Sequence, residues 1–418
     1  MTRPDALAWM FYDFGNSAFT TLVVTFIFSA WFTQGIALDP DRGTVLWSHA
    51  VNASSLLVAL TAPFLGAIAD VSGHRRRLLF WMTLLCVVTT GSLYFPVKGD
   101  VAFALLAFVI ANYAFEAAIV FYNAYLPEVS TPRTIGRVSG AGQALGYLGG
   151  LLCLVIALAM IRVWLPDDRG LNVRATNLLV AAWYAIFAIP LLLVRPGNAA
   201  GGLVRTSAAM KGAARQLIDT ARHLKRYRQA ARLIVARLVY NDGLVTVFAF
   251  AAIYAAAVFG MSTSDLIVMG ISINVAAAVG SWAFGFVDDR IGGKRTIAIT
   301  LLVLIVVTAV GATTENRTVF WIAALLLGSM VGPNQAASRS LLGSFTPPSK
   351  RGEWFGFFAF SGRLASVAGP LVYGLVISAA GSQRVAMGSI IAFFVIGLLI
   401  LMTIDESEGK EMAETGGM

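Results

Sequence analysis

The chain repeats one feature from end to end: apolar runs about as long as a lipid bilayer is thick. Residues 296–314, TIAITLLVLIVVTAVGATT, contain no charged side chain. At a rise of ~1.5 Å per residue such a run spans a hydrocarbon core of ~30 Å as a helix. About twelve runs of this kind follow one another, near 9–34, 46–69, 78–95, 101–126, 138–161, 174–194, 233–259, 266–287, 296–313, 318–343, 355–379 and 385–404. They are apolar at consecutive positions rather than at alternate ones, which predicts helices and not the strands of a barrel. Only 13% of residues are charged and 58% are hydrophobic, too little polar surface for a soluble chain of 418 residues. The expectation is an all-α polytopic membrane protein.

Basic residues retained on the cytoplasmic side orient such a protein. With the N-terminus inside, only Arg42, Lys98, Arg162, Arg169, Arg174, Arg317 and Arg384 fall outside. The remaining basic residues cluster in Arg75–Arg77, Arg133–Arg137, residues 195–232, Arg290–Arg295 and Lys350–Arg351. Both termini are therefore expected in the cytoplasm, the first helix directing insertion without a cleaved signal. The net charge of +9 follows from this layout and requires no nucleic acid. A bacterial inner membrane is the expected location, with the lipid bilayer as partner and a monomer as the expected state.

The longest polar stretch, 195–232, divides the runs six and six. It opens with Pro196, Gly201 and Gly202, then turns basic and amphipathic through Lys211, Arg215, Arg222, Lys225 and Arg226, a pattern suited to a membrane surface. The expected organisation is a six-helix bundle over 1–194, a cytoplasmic linker over 195–232, a second bundle over 233–404 and a tail over 405–418.

The halves repeat each other. GAIADVSGHRRR follows the second run and GFVDDRIGGKR the eighth. Gly66, Asp70, Gly73, Arg75 and Arg76 thus correspond to Gly285, Asp289, Gly292, Lys294 and Arg295 at a constant offset of 219. Gly136, Gly140 and Gly146 after the fourth run match Gly352, Gly356 and Gly362 after the tenth, at an offset of 216. Parallel repeats about an axis along the membrane normal are a transporter architecture. The glycines permit a tight turn and close helix approach. The Asp can pair with basic residues or a helix N-terminus in one conformation and let go in another.

This doubled loop resembles the signature of the major facilitator superfamily. WMFYDFGNSAF at 9–19, FYNAYLPEV at 121–129, YNDG at 240–243 and NQAASRSLLGSFTPPSKRGEWFGFF at 334–358 narrow the resemblance. Together they are similar to the vacuolar amino-acid effluxers linked to autophagy and their bacterial relatives, with Gln335, Ser338, Arg339, Ser340, Pro347, Glu353, Phe355 and Gly356 the most specific part. Pro333 and Asn334 stand where that family usually has two glycines. The resemblance implies two six-helix bundles around a central cavity.

Ionisable residues inside a bilayer are costly, about 2.5–3.5 kcal/mol each near a helix centre on insertion scales, so they mark a bundle interior or a pathway. The first run carries Tyr12, Asp13 and Asn16, spaced for one helix face. The seventh echoes it with Tyr240, Asn241 and Asp242. Asn112, Glu116 and Asn123 form a stripe on the fourth, Gln143 lies on the fifth, Gln335 and Arg339 on the tenth and Arg363 on the eleventh. These are the candidate substrate- or proton-binding residues. Asp13 and Asp242 are expected to form a two-carboxylate rim with Glu116 between them. Arg363 or Arg339 would hold a substrate carboxylate, and a bridge from Arg339 to Glu353 is an alternative role.

The pattern points to a secondary active transporter that moves a small polar solute, amino acids among the candidates, by alternating access with proton coupling. An exporter of amphipathic compounds and a receptor without transport are the alternatives. No enzyme, cofactor or metal site is expected. His49, His74 and His223 are scattered, and Cys86 and Cys153 lie singly in apolar runs. The IGGKR around Lys294 lacks the first glycine and the Ser/Thr of a phosphate-binding loop, which leaves gradients to drive transport.

Overall fold

In the computed structural model, residues 3–193, 206–365 and 368–415 are described. All secondary structure among them is helical. The first half comprises α1 (Arg3–Ala18, continued by π-helical turns to Ile36), α2 (Pro40–Ser72), α3 (Arg75–Ser92), α4 (Val101–Val129), α5 (Ile135–Ala159, with a π-helical turn to Trp164) and α6 (Leu171–Leu193). The linker holds α7 (Thr206–Arg222). The second half comprises α8 (Arg228–Phe259), α9 (Thr263–Ile291), α10 (Gly293–Thr313), α11 (Arg317–Phe345), α12 (Arg351–Leu364), α13 (Ala368–Ala380), α14 (Gln383–Ser389) and α15 (Ile391–Met402), and α16 (Glu406–Thr415) ends the described chain. Among the described residues eleven spans are long and apolar enough to cross a bilayer. The remaining helix of the expected twelve is α3, whose first turn is Arg75–Arg77.

Helix ends coincide with the chemistry that stops helices. Asp39 caps α2 by accepting the Arg42 N–H at 2.7 Å. Gly73 ends α2 at φ 66° and Gly292 ends α9 at φ 89°, backbone conformations that suit glycine. Ser262 and Asp265 form a reciprocal capping box at the start of α9.

One boundary differs from the expectation. α8 starts at Arg228, before residue 233, because Arg228 forms two hydrogen bonds of 2.6 Å to Glu408 of α16 and so extends the helix through polar sequence. The tail carries α16, docked through those bonds and through Gly409 against Phe345. Pro196, Gly201 and Gly202 lie outside the described residues. In the linker, α7 turns Ala209, Ala213 and Thr220 inward and leaves Lys211, Arg215 and Arg222 exposed, as do Lys225 and Arg226 after it.

The two halves meet mainly where α2 crosses α12 and α5 crosses α9. The same contacts occur twice. A Cβ on Gly66 would collide with the Gly352 carbonyl, and one on Gly285 with the Gly136–Arg137 backbone. Gly356 lies on the Ala62 carbonyl and Gly140 on the Ser281 carbonyl, the partners again 219 residues apart. Only glycine allows backbones this close. These crossings lie toward the end of the bundle that carries the Arg75–Arg77 and Arg133–Arg137 clusters, called the basic end below. Outward-facing surfaces remain apolar, as at Leu60, Leu375 and Leu399, the surface a bilayer covers.

Candidate transport site

At the basic end each repeated aspartate reaches into the opposite half. Asp70, at the last turn of α2, accepts the Gly352 N–H at 2.8 Å and the Glu353 N–H at 2.9 Å, the first free amides of α12. Asp289, at the last turn of α9, accepts the Gly136 N–H at 2.8 Å and the Arg137 N–H at 3.3 Å, the first free amides of α5. A carboxylate at a helix N-terminus satisfies unpaired donors and opposes the positive end of the dipole. Asp70 is also paired with Arg75 at 2.8 Å within its own half, whereas Asp289 is paired with Arg137 across the interface at 2.7 Å.

The basic residues of the repeats serve their own bundles. Arg75 joins Asp70 to Glu128, and Arg76 donates to the Leu192 carbonyl at 2.6 Å, near the C-terminus of α6. Lys294 donates to the Met402 carbonyl at 3.1 Å, at the C-terminus of α15. Cations are favoured at such ends. Arg295 is exposed on the first turn of α10.

Deeper in the membrane, cations of the second half meet acids of the first. Arg339 of α11 lies 3.5 Å from Asp13 of α1. It also donates to the Ser139 hydroxyl at 3.0 Å, the Ser139 carbonyl at 2.8 Å and the Asn123 amide oxygen at 3.3 Å, and its guanidinium lies 4.7 Å above the Trp9 ring. Arg363 of α12 pairs with Glu116 of α4. Both pairs span the interface, and neither arginine is free. Removing one partner of the buried Arg339–Asp13 pair costs about 3–5 kcal/mol because the other charge stays behind, and the cost is lower for Arg363, whose side chain is 35% exposed.

A third network lies within the second half. The Gln335 amide donates to Asn241 at 2.8 Å and its oxygen lies 3.4 Å from Arg237. Arg237 also donates to the Phe358 carbonyl and the Ser361 hydroxyl, each at 2.9 Å. Asp242 accepts the Gly369 N–H at 2.9 Å, an N-terminal amide of α13.

Some expected groupings are redrawn by these partners. Tyr12 does not share the Asp13 face: its hydroxyl bonds to Thr83 at 2.7 Å and Tyr184 at 2.8 Å, inside the first bundle, because adjacent helical residues diverge by about 100°. Tyr240 is likewise internal, bonded to Ser338 at 2.7 Å. Asn112 bonds to Ser54 of α2 at 2.8 Å, while Asn123 and Glu116 from the same stripe turn to the second half. Asn16 is buried and Gln143 half-buried. Asp13 and Asp242 form no common rim, since one is drawn to Arg339 and the other caps α13. The bridge from Arg339 to Glu353 does not form either: Glu353 accepts from Gln216 of α7 at 2.7 Å. Arg237 and Ser139 went unnoticed in the sequence, and Asp288 was not among the candidates. Asp288 had a signal, as it stands where the first repeat has Ala69, and it accepts a hydrogen bond from Ser340.

Two repeated bundles, capped onto each other at one end and joined by ion pairs in the middle, have the fold of the major facilitator superfamily. Solved structures have this fold: the human organic anion transporter MFSD10 has a TM-score of 0.71 at 18% identity, over 96% of this chain and 100% of that one. FucP in the outward conformation has a TM-score of 0.74 at 14% identity, over 96% and 99%.

Within that superfamily the chain belongs to the family described as "Vacuole effluxer Atg22 like", which matches residues 44–414. It is 26% identical over 414 residues to "Uncharacterized MFS-type transporter YxiO" of Bacillus subtilis (strain 168), covering 97% of this chain and 96% of that protein. It is 22% identical over 459 residues to "Autophagy-related protein 22" of Yarrowia lipolytica (strain CLIB 122 / E 150), covering 88% and 76%. The family and the fold are those of transporters and not of enzymes.

Proposed function

We propose that the chain is a secondary active transporter that carries a small polar solute, amino acids included, by rocking its halves about the central interface. Protons are the coupling ion, and the basic end faces the cytoplasm of a bacterial inner membrane. The observation that carries this reading is the pair of cross-half bridges, Asp13 with Arg339 and Glu116 with Arg363. Halves that rock must part these charges. A carboxylate left in an apolar cavity without its cation is costly, and a proton removes that cost. Proton uptake can thereby follow the change of state.

In the same reading Asp70 and Asp289 are the gate. Each holds the opposite half only while the basic end is closed, so the conformation described here is closed to the cytoplasm. The description of the family as effluxers favours export.

Reconstituted protein tests the proposal. Vesicles with an imposed pH gradient should accumulate a solute from a radiolabelled amino-acid panel, and Glu116→Gln should abolish accumulation while sparing counterflow exchange. Uptake by the wild type that ignores the gradient would overturn proton coupling. Binding without flux of any solute would favour a receptor.

A further inference from the structure

Of three arginines set within the membrane-spanning helices and drawn to the interface, two are neutralised by acids of the opposite half, the buried Arg339 by Asp13 and the half-buried Arg363 by Glu116. The third is Arg237, on the third turn of α8 and buried. Among the described residues no carboxylate lies within ion-pair distance of it. Its partners are all neutral: the Phe358 carbonyl, the Ser361 hydroxyl and the Gln335 amide oxygen. Its carbon lies 3.6 Å from the centre of the Phe358 ring, and its Nε has no hydrogen-bond partner. Neutral oxygens and an aromatic face offset only part of the cost of burying a full charge.

The surroundings leave this cation approachable. Gly362 is half-exposed, and a Cβ there would lie 3.2 Å from one terminal nitrogen of Arg237 and 3.4 Å from the other. The missing side chain lets the end of the guanidinium lie against the α12 backbone at this half-exposed position. Gln335, also half-exposed, bonds to Arg237 with its oxygen and to Asn241 with its nitrogen, so a polar strip runs from the cation along the second half.

We propose that Arg237 is the anion-binding residue of the transport site and that the transported solutes carry a carboxylate, held by the guanidinium beside Gly362 and Gln335. This rests on the transporter reading and narrows its substrate class. It also moves the carboxylate away from Arg339 and Arg363, whose charges are already met by protein acids. An arginine presents a planar fork that matches a carboxylate with two parallel hydrogen bonds.

Thermal unfolding of the purified full-length protein tests the assignment, since a ligand that binds the folded state raises its apparent stability. The probes are L-leucine, L-glutamate and lactate, each beside its amide: L-leucinamide, L-glutamine and lactamide. At least one carboxylate should raise Tm in a dose-dependent way, and its amide should not. Arg237→Gln should weaken that response about 10- to 150-fold, the range for losing a charge-assisted hydrogen bond. Arg237→Lys should keep part of it. Gly362→Ala crowds the end of the guanidinium without removing its charge and should also weaken it, which keeps the test decisive should Arg237→Gln not fold. Arg237→Gln or Gly362→Ala responding like the wild type would overturn the assignment, as would equal responses to acid and amide. A neutral sugar that is transported and stabilises the protein, with no carboxylate doing so, would sink the role of Arg237 and leave the transporter reading standing.

Discussion

Replacing Asp289 by Asn should loosen the basic end of the protein, and the structure sets the size of the effect. Asp289 accepts three hydrogen bonds from α5: the Gly136 N–H, the Arg137 N–H and the Arg137 Nε–H, at 2.8, 3.3 and 2.7 Å. All three cross between the halves, so all exist only while that end is closed. An Asn oxygen can still accept from one amide, but its NH2 opposes the rest, and the negative charge at the α5 N-terminus is gone. A charge-assisted hydrogen bond contributes about 1.5–3 kcal/mol. The Arg137 side chain is 48% exposed, so its ionic part adds little after screening. The closed form should lose about 1.5–3 kcal/mol, a factor of about 10–150 in the closed-to-open ratio. Asp70→Asn should have a similar effect through the Gly352 and Glu353 amides. Its pair with Arg75 stays within one half and persists in both states, so it does not enter the difference. Spin labels at Arg133 and Arg290, both exposed and on opposite halves, report the change by double electron–electron resonance, after replacement of the buried Cys86 and Cys153. Each variant should shift distances to a longer population, and the double variant further. Distributions identical to the wild type in all three would show that these aspartates only finish helices and do not hold the gate.

The glycine crossings predict the same direction by a steric route. Gly66→Ala and Gly140→Ala place a methyl against the Gly352 and Ser281 carbonyls and should lengthen the same label distance, whereas Gly270→Ala meets nothing within 4 Å and should leave it unchanged. The proposed orientation predicts that, in intact cells, an impermeant maleimide labels a cysteine at Lys98 and spares one at Ala221, both exposed; the reverse pattern would invert the topology.

What the sequence determined is what depends on neighbours along the chain. The length and continuity of the apolar runs require membrane helices, because a bilayer leaves no other way to satisfy the backbone. The doubled loop carried the repeat, and its constant offset reappears in space as paired contacts of Gly66 with Gly352 and Gly285 with Gly136. That an aspartate there would seek a helix N-terminus was readable from its chemistry. Which N-terminus was not, since it depends on how the halves cross. The same limit applies to the ionisable residues. Their cost in lipid marked Asp13, Glu116, Arg339 and Arg363, but the pairing of Asp13 with Arg339, residues far apart in the chain, follows only from the docked bundles. Tyr12 was grouped with Asp13 by spacing, and the packing of α3 and α6 around it drew it inward to Thr83 and Tyr184. Arg237 escaped notice because a helix starting at residue 233 would leave it near a basic boundary, where arginine is ordinary. Docking of α16 accompanies a helix that starts at Arg228, which puts Arg237 on the third turn of α8. Local pattern sets which residues are costly in lipid, and only the assembled interface decides which of those costs another residue has already met.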